Sequence, residues 1–327
     1  MASIQYLNAT HTLYSCLKHS TPSSHDYSTC FLQQDSLTCS IFVLLCTVAY
    51  CFVWSILCNN VSKVDQIWSI IPFVYSWVFF LHYYFLNNEI HYRLLLVTLL
   101  ITLWGVRLTY NFARRGGYGN FIQHEEDYRW PILRKMMNLP TWLLFNLTFI
   151  AGYQNLLLWL IALPANIVSQ GSAGWDELGF LDIVLGHIFF FLIVLETVAD
   201  QQHYDFQEYK YSLTPAERLK SSQKSVREGF FQDKYWKYCR HPNYLAEQSV
   251  WLAVYLFSCI STGELWNWSV VGIVLLVLLF QGSMQFSESI TLSKYPLYAQ
   301  YQATVPKLIP RCCCCCDASS NKKEKSE

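Results

Sequence analysis

The chain has 327 residues, of which 53% are hydrophobic, 17% aromatic and only 14% charged. A water-soluble domain carries roughly a quarter charged residues, so this composition excludes an ordinary soluble protein and points to a lipid-embedded one. The 23 basic and 23 acidic residues cancel, and no basic face with interleaved aromatics is present to bind nucleic acid. The 13 cysteines contain no paired CxxC and no Cys/His zinc spacing, so no metal site is expected.

In chain order, residues 1–36 form a polar tail rich in Ser, Thr and His that is expected to be disordered. It lacks a basic segment running straight into an apolar core, so no cleavable signal peptide is expected. Asn8-Ala9-Thr10 is a glycosylation sequon, usable only on the lumenal side. From Leu37 onward, seven apolar runs approach the ~20 residues that cross a bilayer as a helix. They cover about 38–58, 67–86, 92–113, 141–164, 178–199, 244–262 and 266–286. The expected fold is all-α: a polytopic helical membrane protein with about seven transmembrane helices over residues 37–310. Its cofactor half is about 178–310. Arg107, Asn146, Gln154, Asn155 and Glu196 lie inside these runs, and polar groups at membrane depth face a protein interior or a watery cavity.

Basic residues set the orientation. Loop 114–140 carries Arg114, Arg115, Arg129, Arg134 and Lys135; loop 200–243 carries eight Lys or Arg, and the tail after residue 287 six more. The opposite loops, 165–177 and 263–265, carry none. The expectation is a lumenal N-terminus and a cytosolic C-terminus. Residues 311–327 hold the run Cys312 to Cys316 and a polar tail, either palmitoylated or unmodified.

The densest chemistry is Arg240-His241-Pro242-Asn243-Tyr244-Leu245-Ala246-Glu247. Pro242 suits the first turn of a helix, which leaves Arg240 and His241 just outside it. Asn243 and Glu247, four apart, then share a face. Glu196 and Asp200 share another, followed by Gln201; Gln281, Gln285 and Glu288 form a third polar stripe. All three clusters fall at cytosolic helix ends. An ordinary positively flanked helix start also explains Arg240 and His241. The sharper reading is a polar pocket: Arg, His and a helix N-terminus for phosphate, Asp and Glu for ribose hydroxyls, Tyr for a ring face. No GxGxxG follows a strand, so a Rossmann domain is excluded.

The 240–247 segment, with Glu196 to Gln202 upstream, resembles the signature of the steroid 5α-reductase-like membrane family, including its poorly characterised bacterial and protist branch. The resemblance covers roughly residues 60–310. It implies NADPH held by the C-terminal helices, a hydride delivered to an activated carbon–carbon double bond in a lipid from the bilayer, and residence in the endoplasmic reticulum. By it, Glu196, Asp200, Gln201, Arg240, His241, Asn243, Tyr244, Glu247 and Glu288 are cofactor-binding candidates, and Arg227 lies near a further phosphate-binding arginine. Two departures stand out. Ala246 replaces the branch's usual glycine, and Trp104 sits where the steroid reductases carry a tyrosine three residues before an arginine, here Arg107. An indole cannot supply a proton at neutral pH. The remaining candidates for the acid are Asp65, in Lys63-Val64-Asp65-Gln66-Ile67-Trp68, and Tyr110. Asp65 also reads as a helix cap beside an interfacial tryptophan. Glu125 to Trp130 matches another motif of the branch.

Two rival readings stand beside the reductase. One is an S-adenosylmethionine-dependent methyltransferase of the isoprenylcysteine type, which uses a similar helix start. The other is a non-enzymatic membrane binding protein.

Overall fold

A computed structural model gives residues 34–119, 126–171 and 178–310, together with 32 and 174. The sequon at Asn8, Glu125 of the loop motif and the Cys312–Cys316 run lie outside the described residues. Those residues form helices joined by loops, with no strand among them. The helices are α1 (Ser36–Cys58), α2 (Lys63–Ile67), α3 (Ile71–Asn87), α4 (Tyr92–Arg114), α5 (Arg129–Lys135) and α6 (Leu139–Phe145). A π-helix (Asn146–Tyr153) then leads into α7 (Gln154–Val168). There follow α8 (Phe180–Ser212), α9 (Pro215–Lys220), α10 (Lys224–Glu228), α11 (Pro242–Thr262), α12 (Val270–Lys294) and α13 (Tyr298–Thr304).

All seven apolar stretches are helical. Five helices are long and apolar enough to cross a bilayer: α1, α4, the continuous Leu139–Val168 rod, α8 and α12. The expected count of about seven narrows to these five. Helix α3 has only 17 residues, short of the ~20 that hydrocarbon demands, and α11 opens on polar turns. Helix ends follow local chemistry. Asp35 accepts hydrogen bonds from the Thr38 amide and hydroxyl at 2.9 and 2.7 Å, starting α1, and His91 Nδ1 accepts from Leu94 N at the start of α4. Asn59 and Asn88 end α1 and α3 in the left-handed conformation that Asn tolerates.

The chain divides into two compact units, Met1–Phe189 with Trp251–Leu276, and Phe190–Val250 with Val277–Glu327. In the first, α3 packs against α1, α4 and α7, and α1 lies along the π-helix and α7. Tyr75, Phe79, Leu94, Ile101, Leu157 and Ile161 are fully buried there. Gly105 lets α4 approach closely, since a Cβ would fall 2.5 Å from Ser69 O. Trp104 is wholly buried, its ring edge-on to Trp251 with centroids 4.8 Å apart. Arg93 and Asp182 form a buried two-pronged ion pair at 2.8 and 3.0 Å, tying α4 to the start of α8. In the second unit, Phe230, Tyr298 and Tyr301 form a small core under α13.

Candidate functional site

Pro242 begins α11, as its fixed φ favours, and the residues around it join three other segments of the second unit. Arg240 is 9% exposed. Its Nε and Nη2 donate to the two oxygens of Glu288 on α12, at 2.6 and 3.1 Å. Its Nη1 donates to the carbonyls of Gln302 and Val305, at 3.0 and 2.5 Å, and its backbone N–H reaches Pro306 O at 2.9 Å. His241 Nε2 donates to Glu288 Oε1 at 2.8 Å, and Gln302 Nε2 donates to Oε2 at 2.9 Å. The His241 ring stacks on Tyr244, which meets the Phe280 ring edge-on. Two residues on from His241, Asn243 Nδ2 donates to Asp200 Oδ1 of α8 at 3.1 Å.

Two hydrogen-bonded groups therefore flank the start of α11, Asp200 with Asn243 and Arg240 with Glu288 and His241, adjacent through the chain at 240–243; with Tyr244 they make up the network, drawn from α8, α11, α12, α13 and the segment after it. Glu196 and Glu247 are buried one turn along α8 and α11 from the Asp200–Asn243 contact. Three of the network's side chains, on His241, Asn243 and Tyr244, keep partial solvent access. Asn243 Oδ1 is a buried acceptor with no hydrogen-bond partner among the described residues.

The other expected site residues lie elsewhere. Gln201 is exposed and donates to Asp205, and Arg227 is exposed and donates to the Ser221 and Ser222 carbonyls. Gln285 is exposed, whereas Gln281 accepts from Lys307 Nζ at 3.4 Å. Asp65 and Tyr110 belong to the first unit. Asp65 Oδ2 accepts from Trp130 Nε1 at 3.1 Å. Burial raises the Asp65 carboxyl above the usual range, and the Asp127 carboxylate raises it further, against the opposing pull of Arg129, Trp130 and Ser62. Asp127 is itself clasped by Arg129 at 2.8 and 3.1 Å. Tyr110 is 67% exposed beneath the Arg114 guanidinium.

The resemblance implies a terminal segment, around Tyr298-x-x-Tyr301, that folds back onto the cofactor site; here the carbonyls of Gln302 in α13 and Val305 after it receive Arg240. Apart from this group, nothing in the sequence pointed to Lys210, 4% exposed, whose Nζ donates to Gly229 O at 2.7 Å and Tyr295 Oη at 3.0 Å among the rings of Phe206, Tyr211 and Tyr295. Cys239, next to the network, is buried, which pushes its thiol up to about 11.

Fold and composition define a polytopic helical membrane protein. The family described as "Protein of unknown function (DUF1295)" matches residues 51–305, and the chain belongs to it. It is also 39% identical over 265 residues to an uncharacterised protein of Schizosaccharomyces pombe, covering 79% of this chain and 74% of that one. No solved structure matches the chain.

Proposed function

We propose that the chain is a membrane-embedded reductase that uses NADPH to saturate a carbon–carbon double bond in a lipid. The observation that carries this is the network at the start of α11, with its unpartnered Asn243 Oδ1 beside the Asp200 carboxylate. Two adjacent acceptors, one of them orphaned, suit the hydroxyls of a ribose, because an acceptor left buried without a donor is costly. The ring faces of His241 and Tyr244 offer stacking, and the first turn of α11 presents backbone N–H groups to phosphate. The DUF1295 family is associated with steroid 5α-reductase-like proteins, which supports the same reading.

Within it, Arg240 has a different part from the one its residue type implies. Its fork is spent on Glu288 and two carbonyls, so it positions the strap behind the site rather than gripping phosphate. Asp200 and Asn243 hold the sugar, and Glu288 fixes the His241 ring through Nε2. NADPH would supply the hydride, and an acid of the chain the proton. Of the two acid candidates, Asp65 has surroundings that keep a proton on it, whereas Tyr110 is exposed. Residence in the endoplasmic reticulum with a lumenal N-terminus belongs to the same proposal.

Thermal unfolding of the purified protein in detergent tests it. NADPH should raise the midpoint and S-adenosylmethionine should not. Asn243→Ala and Asp200→Asn should weaken the NADPH effect by about tenfold in concentration, the worth of one hydrogen bond to a charged group. Stabilisation by S-adenosylmethionine alone would establish the methyltransferase in its place, and stabilisation by neither would leave the binding protein.

A further inference from the structure

A second polar cluster lies in the first unit, at membrane depth, and shares no residue with the network at α11. Thr47, Cys51 and Ser55 follow one another at four-residue spacing and so form a stripe on α1. Asn146 Nδ2 donates to Ser55 Oγ at 2.7 Å. The Asn155 amide lies against the Cys51 thiol, and the Tyr75 hydroxyl of α3 lies toward Thr47. Asn146, Asn155 and Tyr75 are 2%, 0% and 0% exposed.

The π-helix makes this convergence. In a continuous α-helix, residues nine apart are about two and a half turns apart, so Asn146 and Asn155 would face opposite ways. The wider winding over Asn146–Tyr153, at about 80° per residue, brings them back to within roughly 50° of each other. Both asparagines thereby meet the α1 stripe.

Two oxygens of the cluster, Asn146 Oδ1 and Asn155 Oδ1, have no hydrogen-bond partner among the described residues, and Tyr75 Oη has the Thr47 side chain beside it without a well-formed bond. The amide orientations are fixed by their neighbours. Ser55 Oγ already donates to Phe52 O and can only accept from Asn146, and Asn155 Nδ2 donates to the Ala151 carbonyl. The two free oxygens therefore need a hydrogen-bond donor, while the tyrosine hydroxyl can give or take one. No charged side chain belongs to the cluster, and the neighbouring Lys63 and Asp65 are of opposite sign. The surrounding outward faces are apolar, with Leu45, Val53, Leu144 and Leu147 exposed, which suits an apolar ligand tail.

We propose that the Tyr75 and Asn155 end of the π-helix cluster binds the hydroxyl of an uncharged lipid alcohol. The hydroxyl donates to Asn155 Oδ1 and accepts from Tyr75; a ketone, ester or ether of the same shape can only accept, and leaves the Asn155 oxygen unserved.

The test uses the full chain in phosphatidylcholine nanodiscs and a long-chain primary alcohol carrying a diazirine in its tail. Photolabelling should fall within Ser36–Cys58 and Asn146–Val168. Unlabelled alcohol should compete about tenfold better than its methyl ether or the matching ketone. Tyr75→Phe, which removes one oxygen and no volume, should weaken competition by roughly three- to tenfold, as should Asn155→Leu, with the thermal midpoint of each variant measured alongside. If Asn155→Leu fails to fold, Tyr75→Phe decides. Equal competition by ether and alcohol, an unchanged Tyr75→Phe, or a protein unlabelled in both segments overturns the proposal and assigns the cluster to buried water.

Discussion

Glu288→Gln probes the network most directly. The Arg240 and Glu288 side chains are 10% and 8% exposed, so their attraction is little screened by solvent. Glutamine keeps the volume but turns an N–H2 toward the guanidinium and leaves Arg240 and His241 without their counter-charge. Removing one partner of a buried pair costs about 3–5 kcal/mol. At roughly 2–4 °C per kcal/mol for a chain of this size, the unfolding midpoint in detergent should drop by about 10 °C. The strap from α13 onward should also loosen, so trypsin should cut after the exposed Lys294 on the order of tenfold faster than in the parent. Replacing both partners, Arg240→Met with Glu288→Leu, should recover much of the loss, because a buried pair traded for apolar side chains is often near neutral. A Glu288→Gln protein that melts within about 2 °C of the parent and resists trypsin equally would refute the central place given to this carboxylate.

Further outcomes follow from other parts of the fold. Asp65 has a raised carboxyl pKa, so its folded form favours the protonated acid; its stabilising contribution is complete below the unfolded value of about 3.9 and lost as pH climbs through the folded one. Asp65→Asn should accordingly melt higher than the parent at pH 7, with the gap closing in acid. Gly229→Ala should cost at least about 1–2 kcal/mol, since φ is +88° and the new Cβ would lie 2.3 Å from the Tyr295 ring; midpoints at matched pH check it. Glycosylation at Asn8 in a microsomal translation should occur on the native sequon, and modification within residues 205–235 would reverse the proposed orientation.

Much of this architecture was legible in the chain itself. Each apolar run became a helix to within a few residues at its start, because hydrocarbon leaves the backbone no other way to satisfy its hydrogen bonds. The nearness of the Asp200 and Asn243 clusters was suggested by two four-residue spacings at helix ends, although the contact itself was not. The part of Arg240 was not legible. Its residue type implies a phosphate fork, but its partners include carbonyls more than sixty positions away, and a carbonyl leaves no mark on residue identity. The π-helix was equally hidden: at ordinary helical pitch Asn146 and Asn155 would lie on opposite faces, and the wider winding turns both onto α1. Arg227 and Gln201 carry suitable chemistry, yet local loop carbonyls and Asp205 engage them first.

The grip of Arg240 on the Gln302 and Val305 carbonyls, together with its own amide on Pro306, has an evolutionary corollary. Every amino acid offers the same oxygen at its main chain, so the lettering of positions 305 and 306 is free to drift while the closure itself persists. Relatives should then differ widely at those two positions yet hold to arginine at 240, and a saturation library would find tolerance on one side of the clasp and almost none on the other.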